Sequence, residues 1–157
     1  MTTEQWPPRR SSEIGVVNGA EFRVIAGHEL RRSIRDGRCL SILWMSVDHR
    51  GPVALEAAVV ERGALRALGD LLSLELRLSD VIGVVGEREL AVALPDTDAA
   101  QAEVVLDHLQ ATIPELSSRS RTPLLARAST ATFEPGGLAL ELPELLAAAR
   151  GPLLRPV

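Results

Sequence analysis

Few residues in this chain could do chemistry, and most of them are arginines or carboxylates. All 17 basic residues are arginine, which removes Schiff-base and P-loop mechanisms because both need an amine. His28, His49 and His108 are dispersed, with no cysteine or carboxylate partner at ligand spacing. No zinc site is expected from them, and they read as surface residues. Asp48 and Glu89 could hold one cation if the fold brings them together, but Arg88 beside Glu89 favours an arginine–carboxylate pair instead. From residue type alone, Asp80 reads as the cap of a loop-to-strand junction. Arg77 reads as a solvated helix end, where the helix dipole favours a cation. Arg31, Arg32 and Arg35 read as a solvated helix face, with a partner-docking patch as the second reading. Trp44 lies in an apolar run and reads as core.

The elements that must position these residues belong to one domain. The chain has 157 residues, which suits a single fold with a full core. Hydrophobic residues make up 46% and charged residues 24%, a globular balance that argues against disorder. The formal net charge is −4, so there is no overall positive field to hold nucleic acid. Cys39, the one cysteine, cannot form an internal disulfide and reads as a small buried hydrophobe in a reducing compartment. No apolar run approaches the length of a membrane span and Met1 to Arg10 holds no apolar signal core, so a cytoplasmic protein without membrane insertion is expected.

Residues 1–13 are polar and proline-bearing and read as a flexible tail, leaving residues 14–157 as the domain. From Ala20, the residues Phe22, Ile25, Ala26, Leu30 and Ile34 recur at helical spacing up to Asp36-Gly37. Cys39 to Val47 is a near-continuous apolar run, the pattern of a central strand covered on both faces. Residues 53–62 and 63–77 read as two helices, the second with Leu65, Leu68, Leu72 and Leu76 as its stripe. Val81–Val85 and Leu90–Leu94 read as a hairpin closed by the four-residue turn Gly86-Glu87-Arg88-Glu89. Asp98 and Gln101 form a capping-box pattern ahead of a helix with Ala102, Val105, Leu106, Leu109 and Ile113 on its apolar face, and Pro114 is expected to end it. Ser117 to Thr122 reads as a loop, Leu124 to Phe133 as a strand, Glu134 to Gly137 as a turn and Leu142 to Arg150 as the last helix. Gly151-Pro152 is expected to close the regular structure. The order is helix, strand, helix, helix, strand, strand, helix, strand, helix.

This order, together with several residues in register, resembles a GGDEF (diguanylate cyclase) domain. Gly15-Val16-Val17-Asn18 followed by Phe22 is similar to the family's opening GLxNRxxF. Ser46-Val47-Asp48 stands where the first strand carries DxD. Arg77 to Pro95 is similar, without a gap, to RxSDxxxRYGGDEFxxxLP, so Gly86-Glu87-Arg88-Glu89-Leu90 takes the place of the signature turn. Ser129-Thr130-Ala131 stands at the family's SIG, and Leu145 to Arg150 at its LLxxAD. The resemblance implies an α/β (α+β) fold, a nucleotidyl-cyclase-palm-like central β-sheet wrapped by helices.

The resemblance also implies what has been lost. Family members join two GTP molecules with two metal ions, and such hard cations need carboxylate oxygens. The corresponding positions here are Ser46 and Arg88, and a guanidinium repels a cation. Glu87 replaces the second glycine of the turn, and the guanine-contacting positions fall at about Ala54 and at Arg62 or Gly63. No catalysis, no metal and no resident cofactor are therefore expected. Arg77-x-x-Asp80 keeps the family's RxxD spacing to Gly86, which implies a cyclic di-GMP site of the inhibitory type, with a second arginine unassigned. The expected function is an inactive GGDEF-like regulatory module acting on a protein partner of unknown identity, with cyclic di-GMP as its candidate ligand. The alternative is an interaction domain that binds no nucleotide. A homodimer is left open.

Overall fold

Asn18 sets the start of the first helix: its side-chain Oδ1 accepts from the Glu21 backbone N–H at 2.8 Å, satisfying one of the donors a helix leaves unpaired at that end. The helix ends at Gly37, whose φ of 67° lies in the left-handed region that glycine enters without a steric penalty. The computed structural model describes residues 16–49, 65, 68–70, 72–118, 124–137, 140–151 and 155–156. Within them run β1 (Val17–Asn18), α1 (Gly19–Asp36), β2 (Leu40–His49), β3 (Val81–Gly86), β4 (Glu89–Pro95), α2 (Ala99–Ser118), β5 (Leu124–Phe133), α3 (Leu142–Arg150) and β6 (Arg155–Pro156). Residues 68–70 and 72–75 are also helical.

The strands form one mixed sheet in the order β1-β3-β4-β2-β5-β6. β1 is parallel to β3, and the other pairs are antiparallel. β2 lies inside the sheet between β4 and β5, as its continuous apolar run requires. Alternation along the strand splits that run in two. Leu43, Met45 and Val47 pack with Leu90, Val92 and Leu94 of β4 and with Ala102, Leu106, Leu109 and Ile113 of α2, joined by Leu68 and Leu72. Leu40, Ile42 and Trp44 face the other way, onto Phe22, Ala26 and Leu30 of α1 and Leu145, Leu146 and Ala149 of α3. Helices thus cover both faces. Gly83 on β3 lets Phe22 close on the sheet, since a Cβ there would lie 2.5 Å from the Phe22 Cβ.

Several expectations hold in detail. Asp98 and Gln101 form the capping box, with the Gln101 N–H donating to Asp98 Oδ1 and the Asp98 N–H to Gln101 Oε1. β5 and α3 occupy the expected ranges, and Glu134 to Gly137 is a turn with Gly136 at φ 84°.

Other expectations are corrected. Pro114 does not end α2, which continues to Ser118. Leu109 and Ile113 are buried on both sides of the lost Gln110 bond, and their packing carries the helix past it. Ser117 and Ser118 therefore belong to the helix, and residues 119–122 of the expected loop lie outside the described residues. The hairpin turn is Glu87-Arg88 alone, because Gly86 and Glu89 already pair, and the ladder shifts register between Val84 and Gly86. Such a bulge re-aims the strand end. Regular structure does not stop at Gly151, since β6 pairs with Arg127 and Ala128 of β5. Cys39 lies just ahead of β2 and is half-buried; burial, then the charges of Glu134 and Asp98, raise its thiol pKa above the ordinary value. The flexible tail 1–13 and the helix expected at 53–62 lie outside the described residues.

Candidate functional site

The Arg77/Asp80 pair sits where residues 76–80 leave the helical stretch and enter β3. Asp80 is 2% exposed. Its Oδ2 accepts from the Arg77 backbone N–H at 2.8 Å, and its Oδ1 lies 3.3 Å from Arg77 Nη2. The same Nη2 donates to the Pro95 carbonyl at 2.9 Å and to Thr97 Oγ1 at 2.6 Å. Thr97 is itself tied down, its carbonyl accepting from Ser41 Oγ at 2.8 Å. The pair thus fastens the entrance of β3 to the exit of β4 and to β2. This is the capping role that residue type alone gave Asp80, and it turns the Asp80 carboxylate inward. The Arg77 side chain is 56% exposed.

The signature turn is at the opposite end of β4, roughly 20 Å away at about 3.3 Å per strand residue. Glu87 and Arg88 form its exposed tip, and the Arg88 carbonyl accepts from the Val47 N–H at 2.8 Å, which locks the tip onto β2. In the register, Ser46 stands opposite Glu89 on one side and Arg127 of β5 on the other. Residues directly opposite in antiparallel strands share a face, so Arg127, Ser46 and Glu89 form one row on the side covered by α1 and α3. From α3, Arg150 reaches down, with its Nε 3.4 Å from Glu89 Oε2. Gly86 leaves room for this carboxylate, because a Cβ there would lie 2.8 Å from Glu89 Oε1. Ser129 Oγ donates to the Ala149 carbonyl and anchors the end of α3 over the sheet.

The sequence reading set Ser46 beside Arg88 and Asp48 beside Glu89; the register instead places Ser46 opposite Glu89 and Arg127, and Glu89 pairs with Arg150, neither arginine having been singled out from sequence. A signal for Arg127 was present, a lone charged residue inside the strand Leu124–Phe133. Among the described residues this row offers one carboxylate, paired with Arg150, beside a hydroxyl and a guanidinium, with Arg88 at the tip, whereas hard divalent cations favour carboxylate oxygens. The Asp48 side chain and the base-contacting positions 54, 62 and 63 lie outside the described residues. Among those described, no group of three or more His, Cys, Asp or Glu side chains could hold a metal ion. His28 and His108 are exposed, and the His49 side chain lies outside the described residues. Trp44 is core, at 5% exposure.

No family model matches the chain, and no curated protein matches it. Solved structures do. The coiled coil and GGDEF domain of DgcB from Caulobacter crescentus, solved with cyclic di-GMP, superposes with a TM-score of 0.69 over 93% of this chain and 80% of that one, at 12% identity. This chain has the GGDEF fold. The active GGEEF domain of a diguanylate cyclase from Vibrio cholerae aligns with a TM-score of 0.67 at 14% identity, over 85% of this chain and 86% of that one. The diguanylate cyclase SiaD from Pseudomonas aeruginosa, solved with its activator SiaC, aligns with a TM-score of 0.64 at 19% identity, over 86% of this chain and 55% of that one. The GGDEF fold accounts for the element order, and the mixed α/β sheet confirms the fold class expected from sequence. Among the described residues, no helix is long and apolar enough to cross a membrane.

Proposed function

We propose that this chain is a non-catalytic regulatory module of the GGDEF fold that acts by contacting a protein partner. The observation that carries this reading is the Glu89–Arg150 ion pair at 3.4 Å in the row shared with Ser46. It holds the one described carboxylate of that row with a cation, beside Ser46 and Arg88, the two positions where the family resemblance implies metal-binding carboxylates. Arg88 at the tip adds a further positive charge. The test is incubation of the purified protein with labelled GTP and Mg²⁺ or Mn²⁺. No linear or cyclic dinucleotide is expected, and detectable product overturns the reading. Contact with a partner is supported by the complex of SiaD with SiaC and by the half-exposed apolar Val24 and Ile34 on α1, beside the exposed Arg31 and Arg35.

A second reading adds cyclic di-GMP as a ligand at Arg77 and Asp80. It rests on the RxxD spacing, on the partial exposure of the Arg77 side chain and on the DgcB complex with that nucleotide. Asp80 would have to turn outward and give up the Arg77 N–H to meet a guanine edge. Isothermal titration of cyclic di-GMP separates the readings. Heat that disappears in Arg77→Ala supports the nucleotide reading, and no heat with the wild type leaves the partner-only module.

A further inference from the structure

An open groove of about 550 Å³ runs along α1, between that helix and the chain that leads into α3. Its apolar lining is aliphatic, with Val24, Leu30 and Ile34 from α1 and Leu140, Leu142 and Pro143 across from them. Leu30 is buried, whereas Val24 is 60% and Ile34 51% exposed, and apolar surface of this kind rimmed by polar groups marks an interaction site. Gly27 lies midway between Arg23 and Arg31 on one face of α1 and adds no side chain to the groove. A Cβ there would already come within 3.7 Å of Arg31 Nη1 and 3.8 Å of Leu142 Cδ2. The arginines of α1 fall into two sets. Arg32 pairs with Glu29 and Asp36, and Arg35 pairs with Asp36. Arg23 and Arg31, the two that line the groove, meet no carboxylate among the described residues. Arg23 Nη1 donates to the Gly19 carbonyl at 3.3 Å, and Arg31 Nη2 lies 3.2 Å from His28 Nδ1. Glu141 is the one carboxylate on the described lining, so positive charge is in excess there.

We propose that this groove docks an acidic amphipathic helix of a protein partner, with apolar side chains against Val24, Ile34 and Leu142 and carboxylates against Arg23 and Arg31. The inference rests on the regulatory reading and supplies the chemistry of the partner. Arg23 and Arg31 are eight residues apart, about 12 Å along the axis at 1.5 Å per residue. Carboxylates two turns apart on a helix lying along α1 therefore reach both. Docking of a helix in a groove takes its affinity from apolar anchors at helical spacing, and charge pairs at the edge fix its register. Other occupants match the lining less well. A nucleotide would find no aromatic ring on it to stack a base. A second copy docked by twofold symmetry would set these arginines against themselves. An anionic bilayer would suit the charge, but it is flat, whereas this lining is concave and includes Glu141.

The experiment follows the backbone amide resonances of α1 and α3 in the full chain during titration with a synthetic peptide of about 18 residues, long enough to hold a helix. The peptide carries leucines along one stripe and two glutamates two turns apart beside it, the rest being alanine and glutamine. Saturable shifts are expected at Gly27, Leu30 and Leu142. Replacing the glutamates by glutamine should weaken binding about three- to tenfold, the scale of two partly exposed ion pairs. Gly27→Leu places a side chain in the groove on a helix that favours leucine over glycine, and it should weaken binding about tenfold or more. Arg23→Glu combined with Arg31→Glu should lose the glutamate peptide and gain its lysine counterpart, an exchange that a folding defect does not produce. The proposal is overturned by amides that ignore the peptide, by wild-type binding in Gly27→Leu, or by equal binding of the glutamate and glutamine peptides. It is overturned as well by phosphatidylglycerol vesicles or cyclic di-GMP taking the groove amides in preference to the peptide, or by shifts that follow protein concentration alone. GTP turnover separates the two failures. Product formation with the peptide still bound removes the non-catalytic reading and leaves the groove, whereas no product and no peptide binding removes the groove and leaves that reading.

Discussion

The two ends of β4 carry polar groups of similar type and handle them in opposite ways. At the Pro95 end, Asp80 is buried and both its oxygens have donors, while Arg77 spans Asp80, Pro95 and Thr97. At the Glu89 end, the exposed Arg150 holds Glu89, while Arg127 Nε and Trp44 Nε1 are buried without acceptors among the described residues. The first end is closed by its own residues, and its polar groups serve the fold. The second leaves two buried donors without an acceptor among the described residues, a rarer arrangement than the satisfied network at the first.

The largest expected effect tests the closed end. Asp80→Ala leaves the Arg77 N–H without its acceptor in a buried setting and should cost about 2–4 kcal/mol, read as a lower urea midpoint at unchanged m. A loss under about 0.5 kcal/mol, the size of an ordinary surface substitution, would mean that the pair is not structural and would restore it as an open ligand site. The opposite sign is expected at the other end. Arg127→Met removes a buried Nε–H that has no acceptor among the described residues while keeping an unbranched chain, so stability should hold or rise by up to about 1 kcal/mol; a clear loss there would show that Arg127 has a partner after all. Arg150→Ala should change stability by less than about 1 kcal/mol, because the pair is exposed and screened by salt, and high salt should erase the difference.

The smallest effect concerns Cys39, which lies near the closed end. Its folded pKa is raised, so the native state holds the thiol proton to higher pH than the unfolded chain does. Stability is therefore unaffected below the unfolded thiol pKa and declines slightly as pH rises through the interval up to the folded value. Cys39→Ser should flatten that decline in denaturation curves taken across the alkaline range, and iodoacetamide should modify the native thiol more slowly than free cysteine.

Much of the fold was legible because it is written in local patterns. α1, β2, the hairpin strands, the α2 capping box, β5 and α3 follow from periodicity, caps and glycine stops that need only near neighbours. The misses share a cause. Pro114 is a helix stop by local rules, but it stands on the exposed side of α2, and the burial of Leu109 and Ile113 against the sheet carries the helix past it. The two-residue turn depends on a bulge whose position the β2 and β4 ladders decide, and β6 is two residues long and exists only because β5 offers an edge. At the candidate sites, the spacing of Arg77, Asp80 and Gly86 was visible, but the contacts of Arg77 to Pro95 and Thr97 were not, nor was the row of Arg127, Ser46 and Glu89.

The sequence alone determined the alternation, the caps and the replacement of acidic positions by Ser46 and Arg88, since each is a matter of residue type at a fixed position. The tertiary structure decided which arginine meets which carboxylate. That choice depends on strand register and on where α3 comes down over the sheet. It assigns Arg150 to Glu89 and Arg77 to Asp80, and it buries Arg127 Nε and Trp44 Nε1 without an acceptor among the described residues.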